Sequence, residues 1–266
     1  MIETKHSDTL EYLAAQGIPV PHCFTTRLGG ISSGYLSSLN IGTSRGDDPN
    51  NVIENYRRLG DALGFDIHNL VLSRQTHSDI VYTATEKDRG AGLFAPHLEE
   101  CDGLITAVPG LALVVFTADC TPLLFWDEKT GAVGAAHSGW RGTVSGIGAR
   151  VVEAMGREFG SRPQDIHAAI GPNIGLCHFE TDEDVPQAFR AAYGSQMEPW
   201  ITTDGKKYHL DLKAINRQIL LNAGVTQVEV CTECTQCSPQ RFWSHRVTGG
   251  ERGSQGAIIV CQEVSR

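Results

Sequence analysis

Cys120 and His137 stand at the two ends of a segment that reads as a β-hairpin. Asp127-Glu128-Lys129-Thr130-Gly131 is its one turn-rich stretch, and apolar runs flank it at 123–126 and 132–136. With the turn centred between Glu128 and Lys129, antiparallel pairing sets Cys120 opposite His137. A thiolate and an imidazole brought together at one end of two strands are zinc-type or copper-type ligands. The plain alternative is a buried small hydrophobe beside a hydrogen-bonded core histidine.

A metal centre needs a third ligand, and ten histidines compete for the place. His6, His22, His68 and His97 lie in polar or turn-like contexts and read as solvated. His77 follows Arg74-Gln75-Thr76 at a strand junction, among groups suited to a site. Asp102 and Asp119 are the carboxylates closest to this chemistry. Asp119 adjoins Cys120 and is placed to orient a ligand or a substrate; Asp102 reads equally as a turn cap before the strand at Gly103. Arg27, Arg74, Arg141 and Arg246 each sit beside a glycine-rich or histidine-bearing block, where a guanidinium can fork onto phosphate. Asn40 can read a base edge or a ribose hydroxyl, or simply stabilise a turn.

The elements that must position these residues mix strands and helices without a break in composition. Asp48-Pro49 opens a helix with Val52, Ile53, Tyr56, Leu59 and Leu63 on one face. Strands are expected at 71–73, 79–84, 111–116, 166–170, 225–231 and 256–261. Gly139-Trp140-Arg141-Gly142 leads into a helix running inward through Val144, Ile147, Val151, Met155 and Phe159, which sets His137 and Arg141 near its N-terminus. Asp211 caps a further helix through Leu220, stopped near Gly224. The fold class is α+β: one layered domain of mixed β-sheet with packed helices, spanning residues 1–266. A net charge of −9 argues against non-specific nucleic-acid binding. No apolar stretch approaches membrane-spanning length, and the first residues do not begin a signal peptide, so the expected location is the cytoplasm. Reduced thiols then account for the eight cysteines more simply than disulfides do.

Several blocks carry a resemblance. Arg74-Gln75-Thr76-His77, Thr117-Ala118-Asp119-Cys120 and Ala136-His137-Ser138-Gly139-Trp140-Arg141-Gly142 are similar to three signature blocks of the YfiH-like family. Its members have been called laccase-domain or polyphenol oxidase proteins, purine nucleoside phosphorylases and peptidoglycan editing factors. Thr26 to Ser32, Ser38 to Gly42, Cys101 to Thr106, Gly171 to Gly175 and Arg241 to Arg246 extend the resemblance in order along nearly the whole chain. It implies that His77, Cys120 and His137 hold a catalytic zinc, with one position left for water or substrate. It implies phosphorolysis of adenosine, inosine or a methylthio analogue, with purine nucleoside and phosphate as partners and adenosine deamination as a further activity. A copper polyphenol oxidase is the alternative, but none of the ten histidines forms the H-x-H pair that multicopper oxidases cluster. A hydrolase editing peptidoglycan precursors is the other.

Two features fall outside the pattern. Asn173 stands where the family's block has cysteine, which weakens a catalytic reading of that position and leaves the metal triad untouched. Cys231, Cys234 and Cys237 form a C-x-x-C-x-x-C run with no adjacent fourth ligand; Cys177 or Cys261 can join only through folding. The run therefore reads as a strand end plus loop, dispensable for activity.

Overall fold

A computed structural model describes residues 1–7 and 9–263. Two six-stranded sheets face each other. The first holds β1 (Ile2–His6), β2 (Glu11–Ala15), β3 (His22–Thr25), β4 (Leu70–Leu72), β7 (Ala112–Thr117) and β15 (Gln255–Val260), in the order β1-β2-β3-β15-β7-β4. The second holds β5 (Val81–Thr83), β6 (Gly103–Thr106), β8 (Thr121–Asp127), β9 (Val133–Ser138), β10 (Ile166–Ile170) and β14 (Gln227–Val230), in the order β14-β10-β8-β9-β6-β5. A small third sheet joins β11 (Glu180–Thr181), β12 (Ile201–Asp204) and β13 (Lys207–Leu210).

The apolar runs are continuous because most central strands are buried on both faces. Along β7, Leu113 and Val115 point into the core between the sheets, whereas Ala112 and Val114 point outward. On β15, Ala257 and Ile259 face inward while Ile258 and Val260 face out. Helix α1 (Pro49–Leu63) covers the outer face of the first sheet with Val52, Tyr56 and Leu59. The outer face of the second is covered by α3 (Ile147–Phe159) and α5 (Leu212–Asn222), through Val151, Met155 and Leu220. The result is an α+β sandwich of four layers.

Local signals account for most boundaries. The Asp48 side chain accepts from Asn50 N–H and Pro49 occupies the first turn of α1. Asp211 accepts from Lys213 and Ala214 N–H at the start of α5. The helix expected from Trp140 onward divides in two. A short α2 (Trp140–Val144) ends at Ser145-Gly146, and Gly146, with φ of 74°, restarts the chain as α3. Only a residue free of Cβ strain takes that backbone easily. Val144 consequently packs with α4 (Asp184–Tyr193) and the third sheet rather than with Val151.

The hairpin forms with its register moved by two residues from the expected one. Pro122 lies opposite His137 and Thr121 opposite Ser138. Asp127 sets this by accepting from Lys129 and Thr130 N–H, while Gly131, with φ of 73°, closes the loop. A shift of two keeps every side chain on its face. Cys120 thus stays beside His137, as a diagonal neighbour just beyond the strand.

Candidate metal centre

β7 and β8 belong to different sheets, so residues 118–120 cross from one sheet to the other at the open end of the sandwich. Three candidate ligand atoms meet there. The donor atoms of His77, Cys120 and His137 all lie within 4.8 Å of one another. His77 Nε2 is 3.9 Å from Cys120 Sγ, and the two imidazoles meet edge to face at 4.8 Å between centroids.

Asp102 positions both histidines. Its carboxylate is fully buried and accepts from Thr76 N–H (3.0 Å), His77 N–H (3.1 Å) and Ser78 N–H (2.7 Å). Three successive amides converge on one anion only if the chain turns through a left-handed residue, and His77 supplies it with φ of 63°. The same carboxylate receives His137 Nδ1–H at 2.7 Å, leaving Nε2 free to ligate. Burial pushes Asp102 upward, but His137 and the amides of Ser78 and Thr76 outweigh it and hold the acid at about 2.

Asp119 anchors the third ligand in a parallel way. It is left-handed too, with φ of 89°, and its carboxylate accepts from Thr235 Oγ1, Ser244 Oγ and Arg246 N–H. Cys120 is thereby presented from a strained backbone that three neighbours hold in place. Burial raises its thiol, yet His137 and His77 outweigh that and bring it down to about 6. Burial lowers His137, but Cys120 and Asp102 outweigh it and raise the imidazole to about 9. The pairing favours the thiolate, the form in which a cysteine takes up a metal ion. Gly139 completes the fit: a Cβ there would lie 2.7 Å from His77 Cδ2 and 3.3 Å from Cys120 Sγ. Two imidazoles, one of them with its second nitrogen fixed, plus one thiolate suit a zinc-like ion, with one side left open.

That side opens into a cavity of about 410 Å³ lined by all three ligands. Arg45, Arg74 and Arg252 line it too, together with Gln75, His97 and Phe116. Burial lowers the Arg252 guanidinium and nearby Arg45 lowers it further, to about 10. Two cations held close against one cavity make a site for an anion.

The other residues singled out in the sequence lie away from the cavity lining. Arg27 stacks on Trp243 at 3.8 Å and donates to Ser37 and Pro239 carbonyls. Asn40 is buried and ties Gly42 to Ser254 N–H and Asp47. Arg141 is exposed over Trp140. Arg246 donates to the His178 and Glu180 carbonyls. Of the four arginines expected to contact substrate or catalyse, Arg74 alone lines the cavity, beside a 3.6 Å contact with Glu100. Sequence reasoning missed Arg45 and Arg252; both sit in Gly- or Ser-rich loops, next to Gly46 and Gly253. His97 was read as solvated, and it is exposed, but at the cavity wall. Asn173 is fully buried and donates to Thr121 Oγ1 at 2.7 Å.

Fold and site together define a class: a double-sheet sandwich with a His/Cys/His cluster at the mouth of a cationic cavity. Residues 21–262 match the family described as multi-copper polyphenol oxidoreductase laccase, and the chain belongs to that family. A protein of Deinococcus radiodurans named purine nucleoside phosphorylase is 42% identical over 250 residues, covering 94% of this chain and 92% of its own. Adenosine deaminase RL5, from an unknown prokaryotic organism, is 34% identical over 245 residues, covering 90% of this chain and 93% of its own. Among solved structures, the hypothetical protein YfiH of Bacillus licheniformis superposes with a TM-score of 0.91 at 36% identity, covering 97% of this chain and 99% of that one. YlmD from Geobacillus stearothermophilus superposes at 0.90 with 37% identity, covering 98% and 99%.

Proposed function

We propose that this chain is a zinc-dependent purine nucleoside phosphorylase, with residues 1–266 acting as one catalytic domain. The observation that carries the reading is the pairing of Arg45 and Arg252 in the same cavity as His77, Cys120 and His137. Family membership and the relatives named purine nucleoside phosphorylase support it.

His77, Cys120 and His137 would hold the zinc, which supplies Lewis-acid polarisation of a substrate oxygen when bound. The remaining work falls to the protein. Arg45 and Arg252 take the dianionic phosphate, and Arg74 stands at the rim. Phe116 offers an aromatic wall to the purine. An oxygen of the hydrogen phosphate dianion attacks the ribose C1′, the C1′–N9 bond breaks, and the proton the phosphate gives up passes to the leaving base as ribose 1-phosphate forms. Holding both reactants in one cavity makes the step effectively unimolecular. Asp102 acts by orienting His77 and His137, and Asp119 by orienting Cys120. The phosphate clamp is assigned to the two arginines that line the cavity, and Arg141 stays outside it.

The relative named adenosine deaminase supports a second reaction in the same site, one that needs no phosphate. Copper in place of zinc would suit the same donors, as the family's description suggests. Steady-state kinetics of Arg252→Ala separate these readings. The variant should raise the phosphate KM at least about tenfold, the cost of one charge-assisted contact, and shift the adenosine KM less. An unchanged phosphate KM contradicts the proposed clamp.

A further inference from the structure

A second cluster of soft ligands lies away from the cavity. Cys177, His178, Cys234 and Cys237 bring three sulfurs and one imidazole nitrogen within 4.8 Å of one another. His178 Nδ1 is 3.2 Å from Cys177 Sγ, 3.4 Å from Cys237 Sγ and 3.7 Å from Cys234 Sγ, and Cys177 Sγ is 3.5 Å from Cys237 Sγ. No residue adjacent to the cysteine run completes this set. Folding brings Cys177 and His178 across from another loop. Cys231, the first of the run, turns instead into the core between the sheets, and Cys261 does the same.

We propose that these four residues bind one structural zinc ion. Zinc bonds of roughly 2.3 Å to sulfur and 2.0 Å to nitrogen, set tetrahedrally, place ligand atoms roughly 3.5 to 3.8 Å apart. The four spacings above lie near that scale and every pair lies within 4.8 Å, which fits a single ion and is too tight to surround a multi-iron cluster. Three cysteines and one histidine are a donor set of closed structural zinc sites, with no position left for substrate. Cys234 and Cys237 have the C-x-x-C spacing of such sites. Gly175 N–H donates to Cys234 Sγ at 3.2 Å, the contact that supports a ligating thiolate from outside the ligand shell. A Cβ on Gly175 would come within 3.3 Å of Cys234 Cβ and 3.4 Å of Cys177 Sγ.

The placement gives such an ion a task. It would staple the loop after β10 to the loop after β14, which also meet through Thr235 N–H to the Asn173 carbonyl, the Asn173–Cys234 bridge and Gly175 N–H to Cys234 Sγ. Those two loops hold the anchor of the first centre. Ile174 N–H donates to the Asp119 carbonyl, Thr235 Oγ1 donates to its carboxylate, and Arg246 links that carboxylate to the His178 carbonyl. The ion would thus brace the strained residue that presents Cys120.

Metal analysis of the full chain, purified under reductant without added metal or chelator, tests this. The parent should carry about two zinc ions per chain and Cys120→Ala about one, because disabling the first centre leaves the second intact. Cys177→Ser/Cys237→Ser should lose one ion relative to the parent. Should that double variant not fold, the Cys120→Ala protein still decides: its cobalt form should show the intense thiolate-to-cobalt absorption of a three-sulfur site, and its Cys177 and Cys237 should resist alkylation until a strong chelator is added. Cys120→Ala protein free of metal, or a disulfide between Cys177 and Cys237 in the reduced preparation, would overturn the proposal. These readouts do not depend on nucleoside turnover, so they stand apart from the function proposed above.

Discussion

At the scale of single residues, the centre is built from two aspartates that never face the cavity. Asp102 takes three amides and one imidazole, so one carboxylate sets the backbone of His77 and the ring of His137. Asp102→Asn would keep the volume and lose the charge. Its NH₂ group would face amide donors on one side or the His137 N–H on the other. We expect metal affinity to fall about 10- to 100-fold, the usual cost of losing such a partner. Competition with a chromogenic chelator measures it, and an affinity within twofold of the parent would show that Asp102 does not orient the ligands. Hairpin spacing set Cys120 beside His137 in the sequence, His77 joined them only through the family resemblance, and the fold brings their three donor atoms within 4.8 Å of one another. The partners of Asp102 and Asp119 were not legible in the sequence. Their hydrogen bonds reach Thr76, Thr235, Ser244 and Arg246, and no local pattern encodes contacts so far apart in the chain.

At the scale of elements, what could be read depended on whether the deciding signal was local. Helix α1 announced itself through Asp48-Pro49 and one apolar face, and α5 through Asp211. The hairpin's existence was equally plain, but its register was not, since Asp127 and Gly131 move the turn by one position along the chain. The helix after His137 was read as continuous because Val144 and Ile147 share an apolar spacing, and Gly146 interrupts it. His22 shows how an element junction titrates. Its Nε2 accepts from Ala15 N–H at the end of β2, and its Nδ1–H donates to the Val20 carbonyl, so the ring is needed neutral. Burial holds it below its ordinary 6.5, with the Val20 contact and Glu229 opposing only in part. The stability this gives is complete above pH 6.5 and is lost as pH falls through the lowered value, at up to about 1.4 kcal/mol per pH unit. Urea unfolding across this range should show a steeper loss for the parent than for His22→Gln, metal content being matched. Parallel losses would remove His22 from the acid response.

At the scale of the whole molecule, the α+β class and mixed sheets followed from the interleaving of strand and helix patterns, whereas the sandwich did not. Strands β7 and β8 are consecutive yet lie in different sheets, and nothing in Thr117-Ala118-Asp119-Cys120 marks the crossing except its departure from alternation. That crossing puts Cys120 at the open end, where loops from distant parts of the chain converge. Arg45 and Arg252 arrive there on such loops, which is why the cationic lining was assigned to other arginines. Among the described residues no helix is long and apolar enough to cross a membrane. The cationic lining within a chain of net charge −9 concentrates attraction for an anion in one cavity.

The central claim is that this cavity joins a purine nucleoside to phosphate beside the His77, Cys120 and His137 centre. Chromatography of adenosine incubated with the zinc-loaded protein, with and without phosphate, tests it most directly. Cys120→Ala serves as the control for contaminating enzymes. The account predicts adenine and ribose 1-phosphate in equal amounts, formed only when phosphate is present and absent with Cys120→Ala. Free ribose released at the same rate without phosphate, or adenosine left untouched by the zinc-loaded protein, would contradict it.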